Sequence, residues 1–350
     1  MSKRRLIWHI GLAHAPRPVV AANLDVHAAS LAALGVQVAA STEHARLATH
    51  ELLGSHRQAG LSRREVEGRW SRVCDRVWQH KGVSLLSTPD LCAADKDQIR
   101  LALDALIGVE VHLVLTADSF SQPLYGGWLA ELRSGRTTGW DKYATRVLAP
   151  TPEHRQAEEF WAGHDLAALL SRWGWTFRAD RLHVVASCDV AEHWLALLDL
   201  AGVPVAGLEP VLPAYADPAG VAVLRKVNRQ LDEPLAPGSA ALLTAGDPEG
   251  AAMPVAPTTS LSPTVERWAA AITDAGHDLR GDLAGLLEDG PETTLPGPRD
   301  QLGVAVDTLA EALAENSRLR AAVADLKADR DRLDRKRRKL KRRLRRAVTK

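Results

Sequence analysis

Short apolar runs alternating with amphipathic helical stretches constrain this chain more than any other feature. Arg5 to Gly11, Val36 to Ala40, Val83 to Leu86, Glu110 to Thr116 and Leu182 to Ser187 each read as a short strand. Helical periodicity fills 19–34, 43–57, 62–79, 94–107 and 154–172 between them. Such alternation joins strands through crossover helices, so the expected fold is α/β, a parallel sheet with helices packed on its faces. Most of these runs are apolar nearly throughout, as strands covered on both faces must be. Helices are also expected at 190–201, 219–231 and 263–276, the middle one inside a Pro-, Gly- and Ala-rich region spanning 203–262.

The pattern changes near residue 288. Residues 288–300 read Glu-Asp-Gly-Pro-Glu-Thr-Thr-Leu-Pro-Gly-Pro-Arg-Asp, a linker between an α/β domain at 1–287 and a helix at 301–350 that has no Gly or Pro after Gly303. Leu302, Val306, Leu309 and Leu313 recur by four and three. Leu319, Val323, Leu326, Leu333, Leu340 and Leu344 follow a seven-residue grid shifted by one position, with Asn316 at the change. This is the seam of a coiled coil, weakened where Arg330 and Arg337 take seam positions, and it predicts a homo-oligomer.

Charge separates the same two parts. The 350 residues hold 44 Lys and Arg against 43 Asp and Glu, but Arg335 to Lys350 hold eleven of the bases and no acid. The body before the tail is therefore acidic, with 33 bases against 43 acids. That excludes a uniformly basic nucleic-acid-binding domain, while the tail suits a polyanion, an anionic membrane surface or an acidic partner. Cys74, Cys92 and Cys188 are odd in number and far apart, which predicts buried thiols rather than a disulfide framework or a metal site. The N-terminal apolar run is too short for a signal sequence and no stretch has the length of a membrane span, so a cytoplasmic protein is expected.

Open α/β sheets bind ligands at the C-terminal ends of their strands. The first such end reads His9-Ile10-Gly11-Leu12-Ala13-His14-Ala15-Pro16-Arg17-Pro18. With the helix end and strand at Leu31-Ala32-Ala33-Leu34-Gly35-Val36, the strand Val111-His112-Leu113-Val114-Leu115-Thr116-Ala117, the pair Arg172-Trp173-Gly174 and Arg181-Leu182-His183-Val184-Val185, and Gly281-Asp282-Leu283, the chain resembles the sulfotransferase family. It resembles in particular actinobacterial sulfotransferase-like proteins that end in a coiled coil, over much of residues 4–287. The resemblance implies a P-loop-type fold that in active members holds 3'-phosphoadenosine 5'-phosphosulfate and moves its sulfuryl group to an alcohol or amine. Carried over to this sequence, it makes Gly11, His14, Ala15, Arg17 and Ser119 the candidate donor-binding residues, with His14 the candidate catalytic cation.

The carry-over departs from the family at most of its charged positions. His14 stands where the family has Lys, and Pro16, Arg17 and Pro18 stand where it has a second Gly and two Thr. Each proline deletes a backbone donor, and an ordinary histidine is mostly neutral at pH 7. Asp118 takes the place of an Arg after Thr116-Ala117, and Ser87-Thr88-Pro89 that of a Ser-His-Glu, so no base is evident. A sulfotransferase-like protein with a degenerate donor site, non-catalytic or binding another ligand, is the leading expectation. An active transferase that uses the donor through His14 and Arg17 is the alternative, and a scaffold working only through its C-terminal helix is a third.

The other polar residues read more plainly. His9 and His112 lie inside strand patterns and are expected to be hydrogen-bonded there, and Asp118, Ser119 and Ser121 to cap a helix. His164 and Asp165 are adjacent on a helical stretch and do not face each other. The ten Trp, among them Trp173 and Trp175, are expected to anchor packing. GxxxxGK[ST], HExxH, GxSxG and GxGxxG are all absent from the sequence.

Overall fold

A computed structural model describes residues 4–12, 18–149, 153–235, 237–245, 258–288 and 296–348. Contacts divide the chain into two units, Met1–Leu295 and Pro296–Lys350. The first is built on β1 (Arg5–Gly11), β2 (Gln37–Val38), β3 (Val83–Ser87), β4 (Glu110–Ala117), β5 (Leu182–Ala186) and β6 (Asp278–Gly281). These form one sheet in the order β2-β3-β1-β4-β5-β6, and every pairing is parallel.

Helices carry the crossovers. Between β1 and β2 lie α1 (Val19–Val26) and α2 (Ala28–Ala33); between β2 and β3 lie α3 (Thr42–Leu53), α4 (Arg63–Val66) and α5 (Arg69–Gln79); α6 (Lys96–Asp104) leads to β4. Then come α7 (Ser121–Arg133), α8 (Trp140–Val147), α9 (Arg155–His164) and α10 (Leu166–Trp173) before β5. After it follow α11 (Ala191–Ala201), α12 (Pro218–Asn228), α13 (Pro237–Leu243) and α14 (Ser262–Ala275). The second unit is one helix, α15 (Pro298–Val348). No described helix is long and apolar enough to cross a membrane.

Several expected elements change in detail, each for a local reason. The stretch 19–34 divides at His27 into α1 and α2. The strand expected at 36–40 shortens to Gln37–Val38 because it is an edge strand, paired only with β3. The stretch 154–172 breaks at Asp165, whose side chain accepts from Ala167 N and Ala168 N and so starts α10 as its N-cap. The helices α7 and α8 are additions to the sequence reading, and so is β6. Asp278-Leu-Arg-Gly has no apolar run because it too is an edge strand, with alternate residues exposed.

The sheet buries two unlike faces. On one, Ile7, Leu85, Val114 and Val185 pack with Val20 and Leu24 of α1 and with Trp194, Leu197 and Leu198 of α11. On the other, Trp8 stacks on Trp70 of α5 with ring centroids 5.3 Å apart and meets Trp173 of α10 edge-on at 5.5 Å. Trp8, Trp173, Trp194 and Trp268 are fully buried, whereas Trp175 is exposed. Full burial of an indole of this size stabilises by about 3 kcal/mol or more, so the tryptophans serve as packing anchors.

The face toward α11 is apolar only in its middle. At its N-terminal end, His112 Nδ1 and His183 Nε2 are 3.0 Å apart, and His183 Nδ1 lies 2.8 Å from Asp278 Oδ2, which also accepts from Arg280 Nε at 3.0 Å. At its C-terminal end a second polar group faces the same helix. That group marks the place where parallel sheets bind ligands.

Candidate functional site

Period-two alternation sets the residues of this second group. His9 and Gly11 follow Ile7 on one face of β1, Ser87 follows Leu85 on β3, and Thr116 and Asp118 follow Val114 on β4. The His9 ring spans three strands, with Nδ1 2.8 Å from Ser87 Oγ and Nε2 3.0 Å from Thr116 Oγ1. Its burial, with His193 close by, pushes its pKa down to about 3. His9 is therefore a neutral structural tie, as expected of a histidine inside a strand.

Asp118 leaves β4 and meets His193, which sits in the first turn of α11. Asp118 Oδ1 and His193 Nδ1 are 3.2 Å apart, and their side chains are 14% and 5% exposed. The approach brings a carboxyl group and an imidazole together without aligning a hydrogen bond, since Asp118 Oδ1 has no hydrogen-bond partner. Burial raises the Asp118 pKa, and His193 opposes the rise. His193 Nε2 is also buried without a partner. An unsatisfied buried group of this kind costs about 1–3 kcal/mol and needs a reason to persist.

The walls come from α7 and from a crossing segment. Ser119 and Ser121 do not cap α7: Ser119 Oγ and Ser121 Oγ are 3.0 Å apart and bond to each other. Gln122 Nε2 donates to the Tyr215 hydroxyl, while Gln122 Oε1 is buried and unpartnered. Val211 N donates to Asn23 Oδ1 at 2.8 Å, and Asn23 Nδ2 returns a bond to Val211 O at 2.7 Å. The segment carrying Val211 and Tyr215 thus runs from α1, which follows β1, to α7, which follows β4. It crosses the ends of these two neighbouring strands.

The described residues just after the strands are acidic, although Arg46 of α3 lies near enough to Asp90 to feel its charge. The described residues just after the strands include Asp90 beyond β3, Asp118 beyond β4, Asp189 beyond β5 and Asp282 beyond β6, and neither Lys nor Arg. Asp189 and Asp282 hold turns, accepting from Ala191 N and from Ala284 N and Gly285 N. Among the described residues no group of three or more His, Cys, Asp and Glu could hold a metal ion.

Of the residues singled out in the sequence, Gly11 and Ser119 come to the ends of neighbouring strands. A Cβ at Gly11 would make only ordinary contacts, 3.4 Å from Thr116 Oγ1 and 3.6 Å from Pro89 Cβ, so space alone does not require glycine there. His14, Ala15 and Arg17 lie outside the described residues. His193 escaped the sequence reading: it lies 75 positions beyond Asp118, in a helix otherwise read for its apolar face. The only signal was a histidine in the first turn after a strand.

Fold and site together define a parallel α/β protein with its polar group at the carboxyl ends of the strands. No protein-family model matches the sequence, and no curated protein is similar to it by sequence. By structure the chain is similar to the sulfotransferase from Alicyclobacillus acidocaldarius, with a TM-score of 0.41 and 12% identity. The match covers 81% of this chain and 98% of the other.

Proposed function

We propose that this chain is a sulfotransferase-like protein that has given up the sulfuryl donor and works as a non-catalytic or divergent ligand-binding protein, self-associated through α15. The charge at the strand ends carries this reading. 3'-Phosphoadenosine 5'-phosphosulfate is a polyanion, and an enzyme that uses it needs cations and converging N–H donors where its phosphates lie. Here the described strand ends offer four carboxylates, a neutral His9 and acceptors without partners. A phosphate charge about 10 Å from one ionised carboxylate is repelled by roughly 1.7 kcal/mol at an effective dielectric of 20, and by about 4 kcal/mol at 4 Å. None of the described residues just after the strands supplies the cation that the donor's phosphates call for. Titrating the full chain with 3'-phosphoadenosine 5'-phosphate in a calorimeter is expected to give no binding heat, and micromolar binding would refute the proposal.

His193 favours a second reading, an active transferase. Asp118 beside Nδ1 and a buried Nε2 without a partner put an imidazole and a carboxylate where a general base could stand, the group missing from the sequence reading. This reading requires donor-dependent sulfation that His193→Gln abolishes. The basic end of α15 is proposed to contact an anionic surface or an acidic partner.

A further inference from the structure

The helix α15 leaves an apolar stripe uncovered along most of its length. Leu302, Leu309, Leu313, Leu319, Leu326 and Leu333 are each more than half exposed. The occupant that fits is a second copy of the same helix, because the seam positions recur on the heptad grid that two helices need to interlock. The two orientations of that copy are not equivalent.

A parallel, in-register pair would set every seam residue against itself. Arg330 would face Arg330, Arg337 would face Arg337, and the tail with its eleven Lys and Arg would lie along an identical tail. Like charges held side by side along a seam oppose pairing. The antiparallel pair has a register that removes all three conflicts. With Leu313 opposite Leu333, Leu302 falls opposite Leu344, Val306 opposite Leu340, and Asn316 opposite Arg330. Leu309 then meets Arg337, whose aliphatic stem can cover it.

The shift at Asn316 gives the outer parts of the helix opposite phase, so Leu302, Val306 and Leu313 of one copy meet Leu344, Leu340 and Leu333 of the other, while Leu319 and Leu326 near the axis fall opposite Lys327 and Arg320, whose aliphatic stems can cover them. Charge agrees. Residues 300–315 carry Asp300, Asp307, Glu311 and Glu315 and no base, and they would lie along the partner's basic tail.

We infer that α15 pairs antiparallel with a second copy, with the two-fold axis at Val323. The pairing neutralises the basic tail against the acidic start of the partner helix and puts the two α/β units at opposite ends. The inference rests on the self-association proposed above and adds its direction and register.

Single cysteines decide between the orientations. In the full chain carrying Cys188→Ser, which removes the exposed native thiol, Leu313→Cys and Leu333→Cys are made separately and oxidised alone and mixed. The expected result is a disulfide dimer in the mixture and none from either variant alone. In the antiparallel pair like positions lie 20 residues apart along the axis, about 30 Å. Sedimentation of the same chains is expected to show dimers that weaken with added salt, as attraction between unlike segments is screened. Self-linking of Leu313→Cys would overturn the direction while leaving self-association intact. A monomer in sedimentation with no cross-link in any sample would overturn both.

Discussion

His9 offers the most quantitative test of the buried polar edge. Its ring sits among Ser87, Thr116 and the nearby His193, with Asp118 beyond, and it is only 6% exposed. Its pKa is about 3 in the folded chain against 6.5 when unfolded. Between those values the unfolded chain binds a proton here that the folded chain refuses. The stability contribution is therefore complete above pH 6.5 and is lost as pH falls toward 3. At 1.36 kcal/mol per unit, moving from pH 7.5 to pH 5 costs about 2 kcal/mol through this one ring. His9→Asn keeps a partner for Ser87 and loses the bond to Thr116 together with part of the ring volume. The variant is expected to be less stable at pH 7.5 by about 1–3 kcal/mol. Its loss on acidification, followed by urea unfolding at both pH values, should be smaller than that of the parent by about 2 kcal/mol. Asp118 is present in both chains, so its titration largely cancels in the comparison. Equal losses in parent and variant would refute the assignment of a neutral, proton-refusing His9.

Two further outcomes test the surroundings. Asp165 caps α10 and also accepts from the buried Trp268 Nε1 at 3.0 Å, so Asp165→Ala is expected to cost about 2–4 kcal/mol in denaturant unfolding. Its ion pair with the exposed Arg267 adds little, and Asp165→Asn should recover most of the loss. The expectation of three buried thiols fails at Cys188, which is exposed after β5, while Cys74 and Cys92 are buried and their pKa values are pushed up to about 12. A thiol reagent at pH 8 is expected to modify Cys188 rapidly in the native chain and the other two only after denaturation. Rapid native modification of all three would show that the packing around α5 and the turn after β3 is open.

The candidate site divides by the distance over which its parts interact. Gly11, Thr116 and Asp118 were visible in the sequence because each ends a strand whose apolar run announces it. The role of Asp118 was not visible. In the sequence it stands as an isolated anion in the place of a cation, while in the fold it is half of a buried pair with His193, contributed by a helix that follows a different strand. The two serines beside it suggested a helix cap and instead bond to each other. The break at Asp165 was masked by a helical pattern that continues through it, and a cap can be told from a helix-interior residue only when the backbone turns.

The sequence by itself determined the parallel α/β class, the positions of the central strands and the long C-terminal helix, because each is written in the period of its own apolar residues. It also determined the split between an acidic body and a basic tail, since charge is a property of composition. Only the tertiary structure decided that β6 closes the sheet, that His9 is neutral, and that His193 comes to Asp118. The physical reason is range. Periodicity reports which face of one element is buried, whereas protonation and pairing depend on groups that crossovers of tens of residues bring to the same strand ends.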